Sequence, residues 1–278
     1  MKTLYHLQVA KACFKPWLTP HGVDWALRGN FNTDFYGSVG WMILLKRVSP
    51  LYFLGRHWYK RIDHMDQMNS VTEIAESWNE LRRRIARIAD DSVYPPTHVK
   101  KMLIELGRDS HSLTDIYAHS NYVELMYDYY GNDPAAMEQV TLSGLPLWQF
   151  IAERAPTFSE LIDDPAPWRK LYDKQMNPHL FCGQSVPDEG PRSHDAINKD
   201  SPTVVRSTDP AYPGIFRAVM ALAHRDVISI INGFFQDLKE NNTLKFTLLT
   251  QAFPGALDGP GTFEKRAKFW SDRFKAWD

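Results

Sequence analysis

The chain has 278 residues, of which 44% are hydrophobic, 13% aromatic and 23% charged, a balance that excludes a disordered or fibrous polypeptide. Thirty-two Lys and Arg stand against 33 Asp and Glu for a formal net charge of −1, which leaves no global electrostatic case for nucleic acid binding. Two cysteines, Cys13 and Cys182, are too few for a disulfide framework, and no apolar run reaches the roughly 18 residues of a membrane span.

The opening stretch MKTLYHLQVAKACFKPWL lacks the unbroken apolar run of a signal peptide, so the expectation is a cytoplasmic protein, or one exported or delivered as a toxin without such a signal. Residues 71–89 then place Ile74, Trp78, Leu81, Ile85 and Ile88 three and four apart between charges, which predicts an amphipathic helix. Residues 98–130 predict a second helix. Residues 134–154 predict a third, with Pro134 suited to its first turn. From 177 to 213 periodicity stops, and six prolines (Pro178, Pro187, Pro191, Pro202, Pro210, Pro213) predict one long irregular connection. Residues 213–239 predict a fourth helix, apolar almost all round and therefore central, with His224 as a core histidine or one that supports a metal ligand from behind. The tail 262–277 alternates basic residues with Phe263, Phe269, Trp270, Phe274 and Trp277. It predicts an amphipathic helix packed on its own domain, with transient contact to a membrane surface as the alternative. Strand-like alternation is nearly absent and no composition shift divides the chain, so an all-α single domain over 1–278 is expected.

The chemistry concentrates in GRDSHSLTDIYAHSNYVELM, residues 107–126. His111, Asp115 and His119 are four residues apart, so on a helix they share a stripe about 80° wide. Tyr122 and Met126 continue that stripe, which makes Tyr122 a candidate substrate contact, while Glu124 points elsewhere. His111 and His119 lie about 12 Å apart along the axis, too far to share one ion whose bonds are about 2.0–2.1 Å long. At least two metal sites are therefore expected, with Asp115 serving one or bridging both. Imidazole with carboxylate is a zinc-type donor set, and multi-metal sites of this kind cleave phosphate esters. His21, His57, His98 and His179 are expected to take no part. No G-x-S-x-G turn and no phosphate-cradling glycine loop is present.

HSLTDIYAHSNYVEL resembles the signature helix of HET-C-type proteins, H-S-L-x-D-x-Y-x-H-S-N, a divergent branch of the zinc-dependent phospholipase C family. That family shares its all-α fold with fungal single-strand-specific nucleases. YHLQVAKA resembles its opening histidine on a first helix, GNFNTD its Asn-x-x-Asp segment, IDHMD its His-x-Asp segment, and SHDAINKDSP its late histidine with an Asn-Lys-Asp sequel. Together the five motifs cover residues 5–202.

Residue by residue, the resemblance implies two to three zinc ions. Asp34, His64, His111 and Asp115 would hold the first, His119 and His194 with a carboxylate the second, and His6 with Asp115 the third. Asp34 would also orient or deprotonate the attacking water. Asn198 stands where the secreted enzymes carry that carboxylate, so Asp200, with Asp195 as the alternative, is taken in its place. Met1 stands where those enzymes carry a processed tryptophan, and the step from Asp115 to His119 is shorter than theirs. The implied activity is a phospholipase C that cleaves glycerophospholipids such as phosphatidylcholine to diacylglycerol and a phosphorylated headgroup. A phospholipid is then the partner, and no nucleic acid is expected. The alternatives are a nuclease or 3′-nucleotidase on the same scaffold, and a non-catalytic allorecognition or cell-death protein in which zinc is structural.

Overall fold

The computed structural model describes residues 3–36, 61–166, 180–183, 197, 199 and 212–251. Among them the secondary structure is helical, with one isolated antiparallel bridge between Ser120 and Cys182 and no strand. The fold is all-α, as the periodicity predicts. The helices are α1 (Thr3–Phe14), α2 (Pro20–Tyr36), α3 (Arg61–His64), α4 (Val71–Arg87), α5 (Val99–His119), α6 (Tyr122–Asn132), α7 (Pro134–Ser143), α8 (Leu147–Arg154), α9 (Phe158–Asp163), α10 (Tyr212–Asn241) and α11 (Thr243–Thr250). The predicted tail helix, His57, His179 and most of the 177–213 interval lie outside the described residues. No helix among the described residues is long and apolar enough to cross a membrane.

The chain divides into two compact units. The first takes Lys2–His64, Glu80–Ser112 and Val227–Asp278; the second takes Met65–Asn79 and Leu113–Asp226. Helices α4, α5 and α10 each run from one unit into the other.

In the first unit α1 packs on α2. Thr19 caps α2 by accepting from Gly22 N at 3.2 Å, and Pro20 fills a first-turn position that needs no N–H. Two glycines then set how closely α2 and α5 approach. A Cβ on Gly29 would fall 1.9 Å from Ile104 O, and one on Gly107 would fall 1.8 Å from Ala26 O. The helices meet backbone to backbone there, which any larger residue forbids. Beside the crossing, Asn30 Nδ2 donates to Ser110 Oγ at 3.3 Å, and Ser110 Oγ donates to Gly107 O at 2.7 Å. His111 follows Gly107 by one turn, so the crossing also places the start of the metal-binding row. On the far side, the wholly buried Lys245 of α11 donates to Ile88 O and Ala89 O, each at 3.0 Å, and pairs with Asp91 at 2.7 Å. It thereby satisfies carbonyls that the end of α4 leaves open.

In the second unit Trp78, Tyr117 and Tyr122 pack around Phe158 at ring-centroid distances of 5.4, 6.2 and 5.1 Å. Tyr117 Oη donates to Asp226 Oδ2 at 2.5 Å and accepts from Phe158 N at 2.7 Å. Thr157 and Glu160 form a reciprocal capping box that starts α9. Arg225 donates to the carbonyls of Ala152, Glu153 and Ala155 and so closes α8.

Three expectations change. The span 134–154 is two helices, because Gly144 adopts a left-handed φ of 68° and Pro146 starts α8. The span 98–130 is also two, broken at Ser120–Asn121. There the carbonyls ending α5 turn to other partners: His119 O accepts from Gly183 N at 2.8 Å, and Ala118 O accepts from Lys199 N at 3.0 Å. Asn121 N donates to Phe181 O, while its Oδ1 accepts from Phe181 N at 2.9 Å. Finally, α10 buries one side only, with Val219, Leu222, Val227 and Phe235 inside, so His224 is exposed rather than core. A long helix rich in apolar residues still turns one polar stripe to water.

Candidate metal centre

The donor row begins on α5 in the first unit. The His111 ring stacks on His6 of α1 with centroids 3.9 Å apart and planes at 26°, and it meets the His64 ring edge-on at 5.7 Å and 89°. One turn further along the same helix comes Asp115. One ligand atom from each of His6, His111 and Asp115 lies within 4.8 Å of the others, and all three residues are buried. Donors on one tetrahedral ion are about 3.3 Å apart for bonds of about 2.0–2.1 Å, so small side-chain rotations bring this set onto an ion. Two imidazoles and a carboxylate are also the right chemistry, since all three bind divalent transition metals. The group can hold a metal ion.

His64 reaches the centre from α3, a helix of four residues. Ser112 Oγ donates to Asp63 O at 2.7 Å, and Arg84 Nη1 donates to Asp63 Oδ1 at 2.9 Å. These two bonds fasten α3 to α5 and α4 within the first unit. Asp109, two residues before His111, lies 3.7 Å from the same guanidinium. Burial pushes its carboxyl up to about 7, with Arg108 and Arg84 pulling the other way.

The far end of the row sits in the second unit. His119 Nε2 is 3.8 Å from Asp115 Oδ1, and its Nδ1 is 3.3 Å from Asp66 Oδ1. Asp66 is 2% exposed and was not among the ligands the sequence pattern picks out. Its signal was nonetheless present, two residues after His64 in IDHMD. What hides it is the backbone: Met65 and Gln67 on either side adopt left-handed φ of 48° and 58°, so helical spacing says nothing about where Asp66 points.

Of the candidate residues, the structure brings the rings of His6, His64 and His111 together within the first unit, puts one ligand atom of Asp115 within 4.8 Å of those of His6 and His111, and places His119 beside Asp115. Asp34 lies in the last turn of α2, but its side chain, with His194 and Asp200, lies outside the described residues. Tyr122 does not continue the stripe, because α5 stops at His119. Its ring is buried and its hydroxyl donates to Pro156 O at 2.7 Å, which ties it to the aromatic core. Glu124, which helical geometry points away from the row, pairs with Lys199 Nζ at 3.1 Å. Cys13 and Cys182 are both buried and not disulfide-bonded, and burial raises Cys13 to about 12, far from a reactive thiolate.

No protein-family model, curated protein or solved structure matches the chain.

Proposed function

We propose that the protein is a zinc-dependent phosphodiester hydrolase of the phospholipase C type, acting on glycerophospholipids such as phosphatidylcholine. The observation that carries the reading is the buried His6–His111–Asp115 group with its donor atoms inside 4.8 Å, on the helix whose sequence resembles the HET-C signature. Zinc held there would supply Lewis acidity of the kind that lowers the pKa of bound water towards about 7 and offsets charge on a phosphate ester. The chain's own residues do the rest. His6, His111 and Asp115 would hold the ion, with His64 of α3, beside His111, as a further donor. His119, with His194 and a carboxylate partner, would hold a second ion, and Asp34 would take the proton of the attacking water.

One observation favours a second reading, in which zinc is structural and the chain is an interaction or cell-death protein. His6 and His111 are fully buried and Asp115 is 1% exposed, as in closed structural sites.

The test is zinc content per chain by inductively coupled plasma mass spectrometry on wild type and Asp115→Ala, followed by phosphatidylcholine and single-stranded DNA as substrates. Two or three ions, at least one lost in the variant, with release of diacylglycerol, support the phospholipase. Turnover of DNA alone transfers the site to a nuclease. Metal without turnover of either substrate supports the structural reading, and no metal at all sinks every version.

A further inference from the structure

The carboxylate beside His119 has a task that the donor set above does not include. Asp66 Oδ1 lies 3.3 Å from His119 Nδ1, with the two side chains 3% and 7% exposed. The opposite nitrogen, Nε2, lies 3.8 Å from Asp115 Oδ1. That gap exceeds hydrogen-bonding distance but lies close to the separation of two donors on one ion, about 3.3 Å or slightly more at wider angles. The two nitrogens of one ring thus each lie near a different carboxylate, the Nδ1 contact at 3.3 Å being close without being an aligned hydrogen bond.

The backbone around Asp66 is built to keep it there. Left-handed conformations at Met65 and Gln67 are strained for residues other than glycine, and they persist because the segment is tied down. Gln67 N donates to Gly183 O at 2.7 Å, and Cys182 N donates to Met68 O at 2.8 Å. Gly183 N in turn donates to the carbonyl of His119 itself at 2.8 Å. Asp66 and His119 are therefore registered to each other through one short segment, with every link inside the second unit.

We infer that Asp66 is a positioning residue that holds the His119 proton on Nδ1 and so presents Nε2 as a metal donor on the Asp115 side. A carboxylate against one imidazole nitrogen favours the tautomer with its proton there, and fixes the ring so that the other lone pair is aimed. The inference rests on the proposed metal centre for its purpose, but the tautomer can be read with no metal present.

The first experiment is long-range ¹H–¹⁵N correlation NMR of the metal-free full chain, labelled at histidine nitrogens, for wild type and Asp66→Ala. The expected result is His119 protonated on Nδ1 in the wild type and a shift towards the Nε2 tautomer in the variant. An Nε2 proton in the wild type, or an unchanged tautomer in the variant, overturns the inference whatever the protein does with zinc. The second experiment measures zinc affinity by competition with a chromophoric chelator. Asp66→Ala should weaken one ion by about 10–100-fold and leave the His6–His111–Asp115 ion within a factor of about two. Asp66→Asn, which keeps an acceptor oxygen, should lose less. In a His119→Ala background Asp66→Ala should add nothing, because it acts only through that ring. Equal weakening of all ions, or additive loss in the double variant, overturns the positioning role. A wild type that retains the Nδ1 tautomer yet binds no zinc overturns the functional reading alone.

Discussion

The two ends of the donor row on α5 are built from different materials. Asp115 serves both, but at the His111 end the other neighbours are imidazoles, His6 and His64, brought by α1 and α3. At the His119 end the other neighbour is a carboxylate, Asp66. Imidazoles can be stacked in the interior as neutral groups at modest cost. Buried carboxylates are expensive unless a cation or strong donors offset them. The supporting structure reflects the difference: ordinary helices and a glycine crossing carry the His111 end. At the His119 end the helix is cut short and its last carbonyls bind neighbouring backbone and Lys199, while two left-handed residues flank Asp66.

The residue common to both ends offers the largest break. Asp115→Ala should release ions from both sites and weaken what remains by more than the 10–100-fold typical of an orienting partner, as read by zinc competition. Next comes the support of the His111 end. Gly107→Ala drives a methyl into the Ala26 carbonyl and should cost about 3 kcal/mol. That amounts to roughly 6–12 °C in melting temperature, with binding at the His6–His111 group impaired along with it.

The His119 end has its own support to remove. The fully buried Lys199 donates from Nζ to Ser120 O at 2.6 Å and Ile197 O at 2.9 Å, besides its pair with Glu124. Lys199→Met should cost about 2 kcal/mol through carbonyls left without donors, and should loosen the His119 ion before the other. Lys245→Met performs the same surgery at the end of α4, remote in sequence from both donor ends, and should lower the melting temperature with no selective loss of metal. Comparison of the two variants separates general destabilisation from a local effect on the site.

The smallest expected effect is in the pH profile. Asp226, in the second unit, has its carboxyl pKa raised by burial, so the folded chain keeps that proton to higher pH than the unfolded chain does. Its contribution is most favourable below the unfolded value of about 3.9 and is lost as pH rises through the raised folded value. Thermal melts of wild type and Asp226→Asn across pH 4–8 should show the variant losing less stability with rising pH.

How far the sequence could be read depended on whether a feature was periodic. The Ile74, Trp78, Leu81, Ile85 and Ile88 row marks α4, and all five are buried. The helix at 213–239 is present as Tyr212–Asn241. The His111, Asp115 and His119 row is likewise a consequence of 3.6 residues per turn. The breaks at Gly144–Pro146 and Ser120–Asn121 were harder. The first carries turn residues that a pattern spanning both flanks overrode. The second is made by partners at positions 181–183 and 199, sixty and more residues away. Tyr122 was placed on the wrong side of that second break for the same reason.

By itself, then, the sequence determined the helical class, the one-sided burial of α4 and the order of donors along α5, because each depends on neighbours within a turn or two. Tertiary structure decided which donors meet: His6 against His111 depends on α1, and the α2–α5 approach depends on two glycines whose significance shows only where backbones touch. It also decided that Asp66 faces His119, since a left-handed backbone erases periodicity and only the hydrogen bonds to residues 182–183 fix where that carboxylate points.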